Sequence, residues 1–187
     1  MKNKTIIGVH GLANKPSKEV LTHGWLSAIN EGLEWINAGM EVSPENFRMF
    51  YWADSMYIKP ESHDEEDGSP FKLSETYTPS QQKPPKYKET FWQRESIWIA
   101  KKINDYLYSH NFTALNAVAK PYIATSMKEL DVYGDHTRRF HGEQTAAEYL
   151  TGSLKNILSE YPDKSVLLIA HSLGSLIAYE TLKYHLD

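Results

Sequence analysis

The sequence predicts an α/β fold in which a mostly parallel sheet carries helices on both faces. Short runs rich in apolar, β-branched and aromatic residues lie at 5–9, 46–53 and 166–170. Long stretches whose apolar residues recur at helical spacing separate them, and strands alternating with helices build parallel sheets. The last run leads through a tight turn, Ala170-His171-Ser172-Leu173-Gly174, straight into an apolar helix. The composition suits a folded core: of 187 residues, 41% are hydrophobic and 24% charged.

In chain order, residues 5–9 read as a buried strand followed by His10-Gly11-Leu12-Ala13-Asn14-Lys15-Pro16. Ser17 is a good N-cap, with Glu19 in the first turn, for a helix running to about residue 37. Val20, Leu21, Trp25, Leu26, Ile29, Leu33 and Ile36 form its apolar positions, and Gly39 is expected to close it. Residues 46–53 suit a second strand. A polar loop punctuated by proline is expected over roughly 60–88. Helical texture returns at 91–108 and at about 112–130, before Asp131-Val132-Tyr133-Gly134-Asp135-His136 interrupts it. A further helix is expected over 142–159, with Ala146, Tyr149, Leu150, Leu154, Ile157 and Leu158 inward and Pro162 past its end. A bare crossover between parallel strands needs only a dozen or more residues. Residues 55–140 therefore read as an inserted cap, and 1–54 with 141–187 as the core.

The net charge of −4 and the scattered lysines and arginines leave no electrostatic footprint for nucleic acid. With no cysteine there are no disulfides, thiolate metal sites or cysteine nucleophiles. The N-terminal apolar run is about four residues, short of the roughly 7–15 of a signal core. Nothing approaches the ~20 apolar residues of a membrane span, so a cytoplasmic location, not an integral membrane one, is the expectation.

The strand–turn–helix around Ser172 is the layout of a nucleophile elbow, a crowded turn that needs small residues two positions either side of the serine. Ala170 and Gly174 meet that need. The bland alternative is a serine that only caps the helix. Acyl transfer also needs two backbone N–H donors for the tetrahedral oxyanion. Leu173, after the serine, is one candidate; Leu12, in the loop that follows the first strand, is the other, with Gly11 letting the backbone come close. A His-Gly pair after a strand can equally be a simple turn, but the two motifs in this order reinforce each other.

These motifs, with Phe50-Tyr51-Trp52-Ala53-Asp54 and Asp131-Val132-Tyr133, resemble the α/β-hydrolase superfamily, and within it a bacterial group of lipase- and esterase-like serine hydrolases. The resemblance implies Ser172 as nucleophile, Leu12 and Leu173 as oxyanion donors, His10, Gly11, His171 and Gly174 in support, and no metal or other cofactor. It implies a small ester or lipid-like substrate without fixing which. It also exposes a gap. In this fold the acid and histidine of the triad follow the serine, yet only Glu180, His185 and Asp187 do so here. His185 is 13 residues on, about 20 Å along a helix. The triad acid and histidine are thus not expected in this chain, which reads as the N-terminal two-thirds of a longer protein lacking its last strands. On that reading the piece has little turnover, and its sheet edge after residue 170 is apolar and uncovered unless another segment or chain covers it.

Other residues weigh less. His136 and His141, near Asp131 and Asp135, offer a rearranged triad, against a plain polar loop. His171 reads as a buried packing residue. Asp54 is a substrate-pocket candidate, or else a cap for the next segment. The acidic cluster from His63 to Asp67 lacks the spacing of a calcium loop and reads as solvated. The aromatics Phe91, Trp92, Trp98, Tyr106, Tyr108, Phe112 and Tyr122 could line an acyl pocket, though such stripes are more often core. The rival from another class is a non-catalytic binding protein on the same scaffold.

Overall fold

A computed structural model describes residues 4–60, 77 and 128–185. Three parallel strands, β1 (Lys4–Val9), β2 (Phe47–Phe50) and β3 (Ser165–Ala170), pair in the order β2–β1–β3. Val9 lies level with Phe50 on one side and Ala170 on the other. The three strands therefore end together, and the loops that follow them leave from one edge. Carboxyl ends of parallel strands are where such sheets gather ligands.

Alternation along β1 sends Ile7 and Val9 to one face and Ile6 and Gly8 to the other. On the Gly8 face lies α1 (Lys18–Trp35), whose Leu21, Trp25, Leu26, Ile29 and Leu33 pack with Phe47 and Met49. A Cβ on Gly8 would meet the Trp25 ring at 3.0 Å and the Phe47 ring at 3.1 Å, so the glycine lets both close on the strand. On the Ile7 face lie α2 (Lys128–Gly134), α3 (Ala146–Ser159) and α4 (Leu173–His185). Their Leu130, Tyr133, Leu150, Leu154, Leu173 and Ile177 form one buried cluster with Ile7, Val9, Phe50 and Trp52. Burying each such large apolar side chain contributes roughly 1.5–3 kcal/mol. The α/β class with helices on both faces is what the alternation of strand and helix patterns predicts.

Several local expectations change. Ser17 caps α1 by accepting the Val20 N–H, as anticipated, but Val20 and Ile36 are exposed. Just past the helix's Ile36 cap, Asn37 takes the left-handed conformation (φ +52°) while the Ala38 N–H reaches the Leu33 carbonyl at 3.0 Å. Gly39 follows rather than closes it. The segment 131–134, read as a break, completes α2, because Leu130 and Tyr133 point into the core. Those two residues belong to the stretch assigned to the insert, yet they share the cluster built on β1. Helix α3 starts at Ala146, not 142: Gly142 is left-handed (φ +56°) and Thr145 makes a reciprocal capping box with Glu148. In the sequence this is a Thr-x-x-Glu pattern, Thr145 to Glu148, three residues after the expected start. The expected polar loop (apart from Pro60 and Tyr77), the acidic cluster, the 91–108 helix, the 112–130 stretch up to residue 127 and the cap aromatics lie outside the described residues.

Strand β3 is one of the sheet's two edges among the described residues, and Leu167 on its α1-side face is 56% exposed. On the other face Leu158, Ser159, Val166, Leu168 and Leu182 line an open apolar groove that includes no residue of the strand ends. Because Leu167 is so exposed, Leu167→Thr should leave the unfolding midpoint within the roughly ±0.5 kcal/mol of a surface change, while lowering self-association in light scattering. A loss of the size seen for core leucines would show this face to be covered.

Candidate functional site

The site is built at the common end of the three strands. Ser172 sits between β3 and α4 with φ +55°. A β-substituted residue rarely adopts this left-handed conformation, and such outliers persist only where the surroundings enforce them. Here two glycines do so. The Cβ that Gly174 lacks would lie 2.6 Å from the Val9 carbonyl oxygen and nearer still to that of His10. The Cβ that Gly11 lacks would lie 2.7 Å from Ser172 Cβ and 2.8 Å from His171 Nδ1. The loop after β1 therefore rests its bare backbone on the turn after β3, and the two motifs are one piece of structure.

His10 organises that loop. It is 1% exposed and stacked on Trp52, with ring centroids 4.6 Å apart. Its Nε2 accepts the N–H groups of Trp52 (3.0 Å) and Ala53 (3.3 Å), so Nδ1 carries the proton and donates to the Gly11 carbonyl at 3.0 Å. The Trp52 indole N–H returns a bond to the His10 carbonyl at 2.9 Å. Burial pushes the imidazole down to about 3, against the opposing pull of the Gly11 bond. His10 is therefore a neutral strut with both nitrogens engaged. A trans peptide holds C=O and N–H in opposite directions. Fixing the Gly11 carbonyl on His10 thus turns the Leu12 N–H away from the ring.

Leu12 and Leu173 are both buried, and among the described residues neither N–H meets an acceptor. Gly174 and Ser175 donate back to His171 and Ser172, which leaves the Leu173 amide at the open start of α4. Buried backbone N–H groups are almost always paired. Among the described residues these two are exceptions, and both lie in the turns that meet at Ser172.

His171 is exposed, not buried as expected, because the strand has ended at Ala170 and the turn carries the side chain outward. Protein on the inner side of its ring holds its pKa below the usual 6.5, and the Lys15 ammonium adds to this. Asp54 lies exposed in a 3-10 turn, residues Ala53–Ser55, rather than at the end of β2. The Ser55 hydroxyl is 3.5 Å from its carboxylate. Asp135 closes its own turn by accepting the Thr137 and Arg138 N–H groups, and His141 stacks on Tyr149 at 4.5 Å. His136 is exposed. Glu180 accepts the buried Tyr133 hydroxyl at 2.6 Å, while burial and that bond raise the phenol's pKa. Among the described residues no side chain hydrogen-bonds the Ser172 hydroxyl, and no His, Cys, Asp or Glu cluster could hold a metal. No helix there is long and apolar enough to cross a membrane.

Two charged residues that sequence reasoning passed over meet at this loop. Lys15 is 5% exposed and donates to the carbonyls of Leu12, Ala13 (2.8 Å) and Asn14 (3.2 Å). Glu129, also 5% exposed, reaches from α2 to accept the Ala13 N–H at 3.0 Å and the Tyr57 hydroxyl. No periodicity marks a buried lysine or glutamate, since both normally face water. Compared with protein-family models, with curated proteins and with solved structures, the chain finds no match in any of the three.

Proposed function

We propose that the protein is a serine hydrolase of the α/β-hydrolase fold that cleaves carboxylic esters through an acyl-enzyme on Ser172. The observation that carries this reading is the left-handed Ser172 beside the N–H groups of Leu12 and Leu173, which meet no acceptor among the described residues. The Ser172 oxygen attacks the ester carbonyl carbon, and the carbonyl π pair moves onto its oxygen. That oxyanion is held by the Leu12 and Leu173 amides, an arrangement worth about 10²–10³ in rate per donor. Collapse expels the alcohol, which takes up a proton, and water then releases the acid by the same route. The steps require a base for the serine proton. Among the described residues none is hydrogen-bonded to its hydroxyl: His10 is engaged and neutral, Glu180 is held by Tyr133, and His171 adjoins Ser172 without a bond to it. The same observation favours a second reading, a binding protein whose serine is not activated.

A fluorophosphonate probe and short-chain p-nitrophenyl esters separate the two, applied to the protein expressed from its whole gene. The expected result is labelling on Ser172 and turnover that falls by about 10³-fold or more in Ser172→Ala. Absence of both in the parent protein would leave the binding reading standing.

A further inference from the structure

We propose that Lys15 is a positioning residue for the oxyanion loop, gathering the carbonyls of Leu12, Ala13 and Asn14 on one buried ammonium so that Leu12, and not Ala13, presents the donor amide. This rests on the serine hydrolase reading and concerns how its loop is held.

Two neighbouring peptide planes carry the argument. In the Gly11–Leu12 plane the carbonyl is fixed on His10 Nδ1 and the Leu12 N–H points the other way, unpaired among the described residues. In the Leu12–Ala13 plane both ends are held: the carbonyl by Lys15, the N–H by Glu129 at 3.0 Å. Three carbonyl oxygens facing one side would repel one another without a cation between them. A lysine suits the place, being a compact point charge with three donors, where a guanidinium is a wide planar fork. Ala13 is left-handed (φ +67°), a conformation alanine does not choose unaided. The grip on its two flanking carbonyls and its amide keeps it there. With the Ala13 N–H committed to Glu129, the loop offers a substrate oxygen one amide, that of Leu12. The ammonium also reaches this end electrostatically: burial is the main cause of the lowered pKa of His10 and of His171, the latter adjoining Ser172, and the Lys15 charge adds to it in both. A positive charge felt there favours a developing oxyanion as well.

The test measures fluorophosphonate inactivation of Ser172, separating the binding constant from the maximal rate constant, in the parent, Lys15→Met and Glu129→Gln proteins. Methionine keeps the length and removes the charge and donors; glutamine keeps the Glu129 shape and weakens its acceptor. The rate constant is expected to fall about 10²-fold in Lys15→Met and about 10-fold in Glu129→Gln. Binding should stay within about threefold, and the fraction of protein finally labelled should stay complete. A residue serving stability alone would lower the labelled fraction and leave the rate of the folded molecules unchanged. Parent-like rate constants in both variants overturn the proposal while the hydrolase reading stands. Should Lys15→Met fail to fold, a parent-like rate in Glu129→Gln alone overturns it, and the expected fall supports it. A parent protein that is not labelled overturns the hydrolase reading, and this proposal with it.

Discussion

Gly174→Ala should unfold the protein or leave it barely folded, although it adds a single methyl group at a buried helix position. The new Cβ would stand 2.6 Å from the Val9 carbonyl oxygen and closer to that of His10. Both are main-chain atoms of β1 and its exit, so no side-chain rotation relieves the overlap. Either α4 lifts off the sheet, opening the cluster around Leu173 and Ile177, or β1 shifts against β2 and β3. Overpacking of this kind costs about 1–3 kcal/mol where side chains can yield and more where they cannot, against a total stability of roughly 5–15 kcal/mol. Gly11→Ala should be nearly as damaging, through Ser172 Cβ at 2.7 Å and the His171 carbonyl at 2.9 Å. Gly152, whose added Cβ meets nothing within 4 Å, is the control: Gly152→Ala should stabilise helix α3 by up to about 1 kcal/mol. Urea unfolding of the three variants is decisive. Equal midpoints for Gly174→Ala and the parent would mean that α4 does not press on β1 as described.

Acid should weaken the fold steeply through His10. Its folded-state pKa, about 3, lies below the 6.5 of the free side chain, so between those limits the folded protein binds fewer protons than the unfolded chain. Stability from this group is whole above about 6.5 and is lost as the pH falls toward 3, by about 1.4 kcal/mol per pH unit and about 5 kcal/mol in all. The physical cause is desolvation: a protonated His10 would carry a charge under Trp52 and face the Trp52 and Ala53 N–H groups with a donor where they need an acceptor. Urea midpoints taken from pH 7 to 4.5 should drop along this slope in the parent protein. His10→Gln, weaker at pH 7, should lack that part of the slope. Parallel pH profiles for the two would show that His10 titrates normally and is not the neutral strut described.

The motifs were legible because they are local. A strand followed within two residues by a helix demands small neighbours, and Ala170, Gly11 and Gly174 are written into the chain at those places. The Ser17 cap, the middle of the inward face of α1 and the inward face of α3 follow from spacing in the same way, although Val20 and Ile36 are exposed. Lys15 and Glu129 were not legible, since 114 residues separate them in sequence and charged residues ordinarily read as solvated. Nor was the exposure of His171, which depends on where β3 stops relative to its neighbours. Helix α2 was read as a break because its apolar residues gain their meaning only from the core they enter.

By itself, then, the sequence determined the α/β class, the three strands, the helices that follow β1 and precede and follow β3, and the serine turn, all properties set within a dozen residues by sterics and hydrophobic period. Only the tertiary structure decided that Gly11 rests on Ser172, that the Leu12 and Leu173 amides near it meet no acceptor among the described residues, and that a lysine and a glutamate grip the loop between them. Those relations join segments far apart in the chain. They arise because three parallel strands end level, which no single stretch of sequence specifies.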